Sequence, residues 1–110
     1  MPINSREKGK RAERQWRDQL RSEGYTAKRG QQHAGGQDSP DVVCEEMKGV
    51  LHFEVKCVQN LNLDKACEQA ERDANGIAWA VAHKKNNKDW KVTISASTFF
   101  KLLREGIDGL

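Results

Sequence analysis

Pro40-Asp41 and Glu54-Val55-Lys56 place two carboxylates and a lysine on two β-type runs. The first run is Asp41-Val42-Val43-Cys44. The second is Val50-Leu51-His52-Phe53-Glu54-Val55-Lys56-Cys57-Val58. The polar stretch Glu45-Glu46-Met47-Lys48-Gly49 between them is a hairpin signal. Side chains alternate along a strand, so Leu51, Phe53, Val55 and Cys57 point to one face and His52, Glu54, Lys56 and Val58 to the other. Glu54 and Lys56 are then neighbours, about 7 Å apart at their Cα atoms. Pairing of the two runs brings Asp41 beside Glu54. Carboxylate oxygens suit Mg²⁺, and Mn²⁺ accepts the same ligands. Such an ion activates a water and stabilises charge on a phosphoryl group. A nearby lysine orients that water or neutralises the crowded phosphate. A solvated Glu54–Lys56 ion pair is the plainer alternative for the Glu-x-Lys pattern by itself, and Pro-Asp thirteen residues upstream weighs against it.

The elements around this hairpin decide what joins it. Asn4 or Ser5 caps a helix running to about Ser22, in which Ala12, Trp16 and Leu20 recur at helical spacing. Glu13 falls about 20° from Leu20 on a helical wheel, so one acid borders the face that packs on the sheet. Arg6, Lys10, Arg14, Arg17 and Arg21 lie further round, towards solvent. An acid in that place needs a partner, either an arginine or a metal ion. Gly9, on the same face, costs about 1 kcal/mol of helix propensity, which a close approach of a neighbour or a phosphate would explain. Gly24 closes the helix, and Tyr25 to Lys28 is a short β-type run. Arg29 to Asp38 form a polar, Gly-rich loop at the mouth of the hairpin. Its Arg29, Gln31, Gln32 and His33 are suited to phosphate and sugar. His33 is also of the type that serves as metal ligand or general base, or is simply an exposed loop histidine.

Beyond the hairpin, Asn60 or Asn62 caps a second helix that ends at about Ala74. Its stripe is Leu63, Ala66, Cys67, Ala70 and Ala74, with Gln69 on the edge. Ile77 to Ala82 is nearly all apolar and suits a central strand covered on both faces. Lys84 to Asp89 is a basic turn, and Trp90, Val92 and Ile94 alternate along the return strand. Ser95 or Ser97 opens a last helix whose Phe99, Phe100, Leu102 and Leu103 serve a core or a dimer interface. The order is α-β-β-β-α-β-β-α, an α/β arrangement with helices packed on a mixed sheet.

At 110 residues the chain is read as one domain over positions 1–110. The core it builds is modest, and a homo-oligomer would support it. No apolar run reaches bilayer-spanning length, and the basic N-terminal segment lacks the apolar stretch of a signal peptide, so a cytoplasmic location is expected. Three cysteines without Cys-x-x-Cys spacing read as core thiols rather than disulfides or a zinc site. The net charge of +3 is unevenly spread: residues 1–31 hold nine Lys/Arg against four Asp/Glu, and the rest ten against twelve. A basic N-terminal segment on a more acidic body suits a polyanionic partner, and a solvated helix face is the alternative.

Three blocks now stand in order: Lys8-Gly9-Lys10-Arg11-Ala12-Glu13-Arg14, Pro40-Asp41-Val42-Val43 and Glu54-Val55-Lys56. Together they resemble the PD-(D/E)XK nuclease superfamily, most closely the archaeal-type Holliday junction resolvases and their small phage-borne relatives. Gln69-Ala70-Glu71-Arg72-Asp73-Ala74 and the turn from His83 to Trp90 also look like the phage group, so the resemblance spans nearly the whole chain. It implies a restriction-endonuclease-like mixed β-sheet flanked by helices. It further implies a divalent metal, Mg²⁺ or Mn²⁺, held by Asp41, Glu54 and the Val55 carbonyl, with Glu13 completing the site. Lys56 becomes the catalytic lysine and Gln69 a supporting residue. The implied enzyme is a homodimeric, metal-dependent endonuclease acting on four-way DNA junctions. Arg6, Lys8, Lys10, Arg11, Arg29, Gln31, His33, Lys84, Lys85 and Lys88 are then the expected DNA contacts. One departure is the loop Gly30 to Asp38, which lacks the serine that archaeal members carry there unless Ser39 serves. A nicking, flap or non-specific duplex nuclease and a non-catalytic DNA-binding accessory protein are the rival readings.

Overall fold

The computed structural model describes residues 5–30 and 41–106, with side chains from Glu7 onward in the first helix. The chain runs through α1 (Ser5–Ser22), β1 (Ala27–Arg29), β2 (Val42–Cys44), a 3-10 turn (Glu45–Met47) and β3 (Leu51–Cys57). It continues through α2 (Leu63–Ala74), β4 (Ala78–Lys84), β5 (Lys91–Ile94) and α3 (Ala96–Gly106). This is the expected α-β-β-β-α-β-β-α order. Among the described residues, five strands lie side by side in sequence order. Only β3 and β4 run parallel, because α2 carries the chain back between them. The other three pairs are antiparallel.

One layer of core lies under α1. Ala12, Trp16 and Leu20 recur every four residues and pack with Phe53 and Val55 of β3, Val42 and Cys44 of β2, and Ala80 and Ala82 of β4. Trp16 meets Phe53 edge-on at 5.8 Å between ring centroids and Trp90 at 5.2 Å. The odd-numbered residues of β3 therefore face α1, as the alternation requires. The other layer is built from small residues: Ala66 and Ala70 of α2 pack with Val81, flanked by Leu61, Cys67 and Trp79. Ala80, Val81 and Ala82 are buried on both faces of β4, as a central strand should be. Asn62 caps α2, its Oδ1 accepting the Lys65 N–H at 3.1 Å, and Asn75 ends the helix in the left-handed region at φ 52°. Ser95 caps α3 by accepting the Thr98 N–H at 3.1 Å.

Several elements differ from expectation. β1 starts at Ala27 rather than Tyr25, which is exposed. β4 runs past Ala82 to Lys84, because Cys57 and Lys84 still pair across the parallel ladder. Leu63 opens α2 but is exposed. Nothing lies within 4 Å of where a Gly9 side chain would begin, so close packing does not account for that glycine. Along α3 no residue is buried, and Phe99, Phe100 and Leu102 are 47%, 53% and 58% exposed. The core reading of that helix therefore fails, and its apolar side is open. Cys44, Cys57 and Cys67 are free thiols. Among the described residues, no helix is long and apolar enough to cross a membrane.

Candidate active site

Asp41 precedes β2 by one residue and is pinned by main-chain groups. Its N–H donates to the Phe53 carbonyl at 3.1 Å, and its own carbonyl accepts the Gly30 N–H at 2.9 Å. Its side-chain Oδ2 accepts the Val55 N–H at 2.8 Å. The carboxylate is thus held against the strand that carries Glu54. Glu54 itself is only 2% exposed and lies in the field of the Asp41 carboxylate. Burial pushes its carboxyl above the ordinary range, a hydrogen bond from His52 opposes this, and the Asp41 charge adds to the rise. The His52 Nε2 to Glu54 Oε1 distance is 3.0 Å.

Glu13 reaches the same neighbourhood from α1. It is buried at the edge of the Ala12–Trp16–Leu20 stripe, and the Arg29 Nε donates to its Oε1 at 3.0 Å. Burial raises its carboxyl, the bond from Arg29 opposes this, and the charge of Asp41 raises it again. The two partners foreseen for this acid were an arginine and a metal ion, and here the arginine is present. Asp41 acts on both Glu13 and Glu54, so three carboxylates from three elements share one electrostatic neighbourhood. Desolvated oxygen donors with surplus negative charge fit a hard divalent cation.

Lys56 lies half-buried two residues beyond Glu54, on the same strand face and in register with His83 of β4. Val55 lies between them with its N–H on Asp41. Gln69 is half-buried on α2, one helical turn before Asp73. Asp73, His52 and Glu54 each offer a ligand-type atom, and these atoms all lie within 4.8 Å of one another. Sequence alone puts His52 on the face of Glu54 without giving it a role, and takes Asp73 only as part of the Gln69–Ala74 stretch. The available signals were the two-residue spacing of His52 from Glu54 and the position of Asp73 beside Ala74, at the end of the buried stripe.

The expected DNA-contacting residues divide into groups. Lys8 and Arg11 join Lys84, Asn86 and Asn87 around a groove of about 530 Å³ between the start of α1 and the ends of β3 and β4. The Lys84 ammonium sits over the Trp90 ring at 5.6 Å. Lys85 and Lys88 line an adjoining hollow with Val58, Leu61 and Trp90. Lys10 instead pairs with Glu7 at 3.8 Å, and Arg29 is engaged by Glu13. The side chain of Arg6, and Gln31, Gln32, His33, Ser39 and Pro40, lie outside the described residues. A hollow of about 800 Å³ between α2, β4 and α3 includes none of the three acids.

The sequence model of the archaeal Holliday junction resolvase (Hjc) family matches residues 4–99, from the start of α1 into α3. The chain belongs to the Hjc family. Its fold is similar to that of Archaeoglobus fulgidus Hjc, a Holliday junction resolvase from an archaeal hyperthermophile. The TM-score is 0.58, and 30% sequence identity extends over 79% of this chain and 72% of that one. Comparison with curated proteins gives no match. The Hjc-family assignment brings with it the restriction-endonuclease-like α/β fold and membership of a nuclease family. The Hjc match includes Glu13, Asp41, Glu54 and Lys56 within its bounds.

Proposed function

We propose that this Hjc-family chain is a single-domain, Mg²⁺-dependent endonuclease that resolves four-way DNA junctions as a homodimer in the cytoplasm. The observation that carries the reading is the clamp of Asp41 on the Val55 N–H, beside the buried carboxylate of Glu54. Asp41, Glu54 and Glu13 are the acids that would hold Mg²⁺, or Mn²⁺ in its place, with the Val55 carbonyl as a further oxygen donor. When bound, the ion supplies an activated water and neutralises charge on the phosphate. Lys56 presents its ammonium to the scissile phosphate and orients the attacking water. Gln69 supports the site from α2. Lys8, Arg11 and Lys84 track backbone phosphates along their groove. The open apolar side of α3 supports the homodimer, since Phe99, Phe100 and Leu102 there are uncovered by the chain's own core. A two-fold dimer suits two symmetric cuts.

The test is cleavage of a labelled synthetic four-way junction against linear duplex of the same sequence, with and without Mg²⁺, with Glu54→Ala alongside. Paired symmetric cuts on the junction alone, absent in the variant, are expected. Equal cutting of duplex would leave a nuclease without junction preference. Binding without cutting in Mg²⁺ or Mn²⁺ would leave a DNA-binding accessory protein.

A further inference from the structure

We infer that His52, backed by Asp73, is the positioning residue for Glu54, holding one carboxylate oxygen so that the other is presented to a divalent cation. The inference deepens the proposed function and rests on Glu54 being a ligand. His52 stands outside the Pro-Asp and Glu-x-Lys pattern, yet it is as buried as the acid it serves, at 3% exposure. Its Nε2 lies 3.0 Å from Glu54 Oε1, and alternation along β3 puts both side chains on one face. A glutamate on a strand has free torsions, and the ladder does not decide which way its carboxylate turns. Donation from Nε2–H to Oε1 fixes that rotation and occupies one of the two oxygens. It also sets the tautomer of the ring.

Asp73 adds the third member. It lies in the last turn of α2, which ends where Asn75 turns left-handed at φ 52°. One of its carboxylate oxygens lies within 4.8 Å of a His52 ring nitrogen and of a Glu54 oxygen. The helix that follows the motif strand thus returns to support it. Such supporting partners orient a ligand, and removing one changes metal affinity by about 10- to 100-fold. A cation held by His52 through Nε2 would instead have to take that nitrogen away from Glu54.

The decisive experiment titrates Mn²⁺ into the full-length chain by electron paramagnetic resonance, for the wild type, His52→Leu, His52→Gln and Asp73→Asn. Junction affinity in EDTA and the Mg²⁺ dependence of cleavage are measured in parallel. His52→Leu should weaken Mn²⁺ binding about tenfold or more and raise the half-saturating Mg²⁺ for cleavage in step, with junction affinity in EDTA unchanged. His52→Gln, whose amide N–H reaches about where Nε2 stood, should recover most of the loss, and Asp73→Asn should show a smaller loss in the same direction. Wild-type Mn²⁺ affinity in a folded His52→Leu, and equally in Asp73→Asn, would overturn the inference while leaving the proposed function standing. Failure of a folded His52→Gln to recover binding would overturn it in favour of His52 as a direct ligand. A wild type that neither binds Mn²⁺ nor cuts would remove the proposed function, and the inference with it.

Discussion

Asp41 Oδ2 accepts the main-chain N–H of Val55 at 2.8 Å, so the residue between Glu54 and Lys56 anchors the acid that faces them. Asp41 therefore combines a fold role with a chemical one, and two substitutions separate them. Asp41→Asn keeps an oxygen for the Val55 N–H and should fold with nearly wild-type stability. Its cleavage rate should fall on the order of a hundredfold, the scale of losing one electrostatic partner of a reacting group. Asp41→Ala should lose cleavage too, and also about 1–3 kcal/mol of stability, because a buried donor is left unpaired. Urea denaturation beside junction cleavage checks both.

Glu54 should destabilise the metal-free protein at neutral pH. Burial raises its carboxyl above the unfolded value, so the folded state holds that proton more tightly than the unfolded state does. The resulting stabilisation is fully present below the unfolded pKa and is lost as pH rises through the raised one. Metal-free Glu54→Gln should therefore melt above wild type at pH 8, with the difference narrowing towards pH 4. Thermal denaturation in EDTA across that range is the measurement, and a constant difference would contradict the assignment.

Arg29 holds down the proton affinity of Glu13. Arg29→Gln leaves a largely buried acid without its cation and should cost about 1–3 kcal/mol at neutral pH. Glu13 then keeps its proton to a higher pH, so the stability loss shrinks as pH falls. The acid limb of the pH–cleavage profile should move upward, because a protonated carboxyl is a poor cation ligand. The profile of the variant at saturating Mg²⁺ tests this.

Lys8, Arg11 and Lys84 border one groove. If each neutralises one phosphate, its replacement by Ala lowers the slope of log affinity against log salt by about 0.9. The Lys10→Ala control, whose ammonium pairs with Glu7, should change the slope less. Salt titrations of junction binding in EDTA distinguish them.

Phe100 and Leu102 are among the most exposed large apolar residues of α3, which buries nothing of its own. Phe100→Asp with Leu102→Lys should leave the fold intact and convert a dimer to a monomer. Analytical ultracentrifugation reads the mass, and circular dichroism reads the fold. A wild type already monomeric at high micromolar concentration would remove α3 as the dimer face.

What was legible in the sequence was whatever depends on period. The phase of Glu13 on α1, the shared face of Glu54 and Lys56, and the caps, narrowed to Asn60 or Asn62 and to Ser95 or Ser97, each follow from neighbours a few positions away. Pairs set by packing between elements were not legible. Arg29 meets Glu13 only because β1 lies under α1, and His52 meets Asp73 only because the end of α2 returns over β3. No local pattern encodes either meeting. For α3, an apolar stripe reads the same whether its cover comes from the same chain or from another.

The rims of the sheet are short: β1 has three residues and β5 four. Edges of that length offer few unsatisfied amides to a second molecule, so copies of the chain have little means to zip together backbone to backbone. This guards the chain against fibrous assembly. It also means that any self-association has to be written in side chains, where it can be retuned by substitution without disturbing the inner strand that carries Glu54.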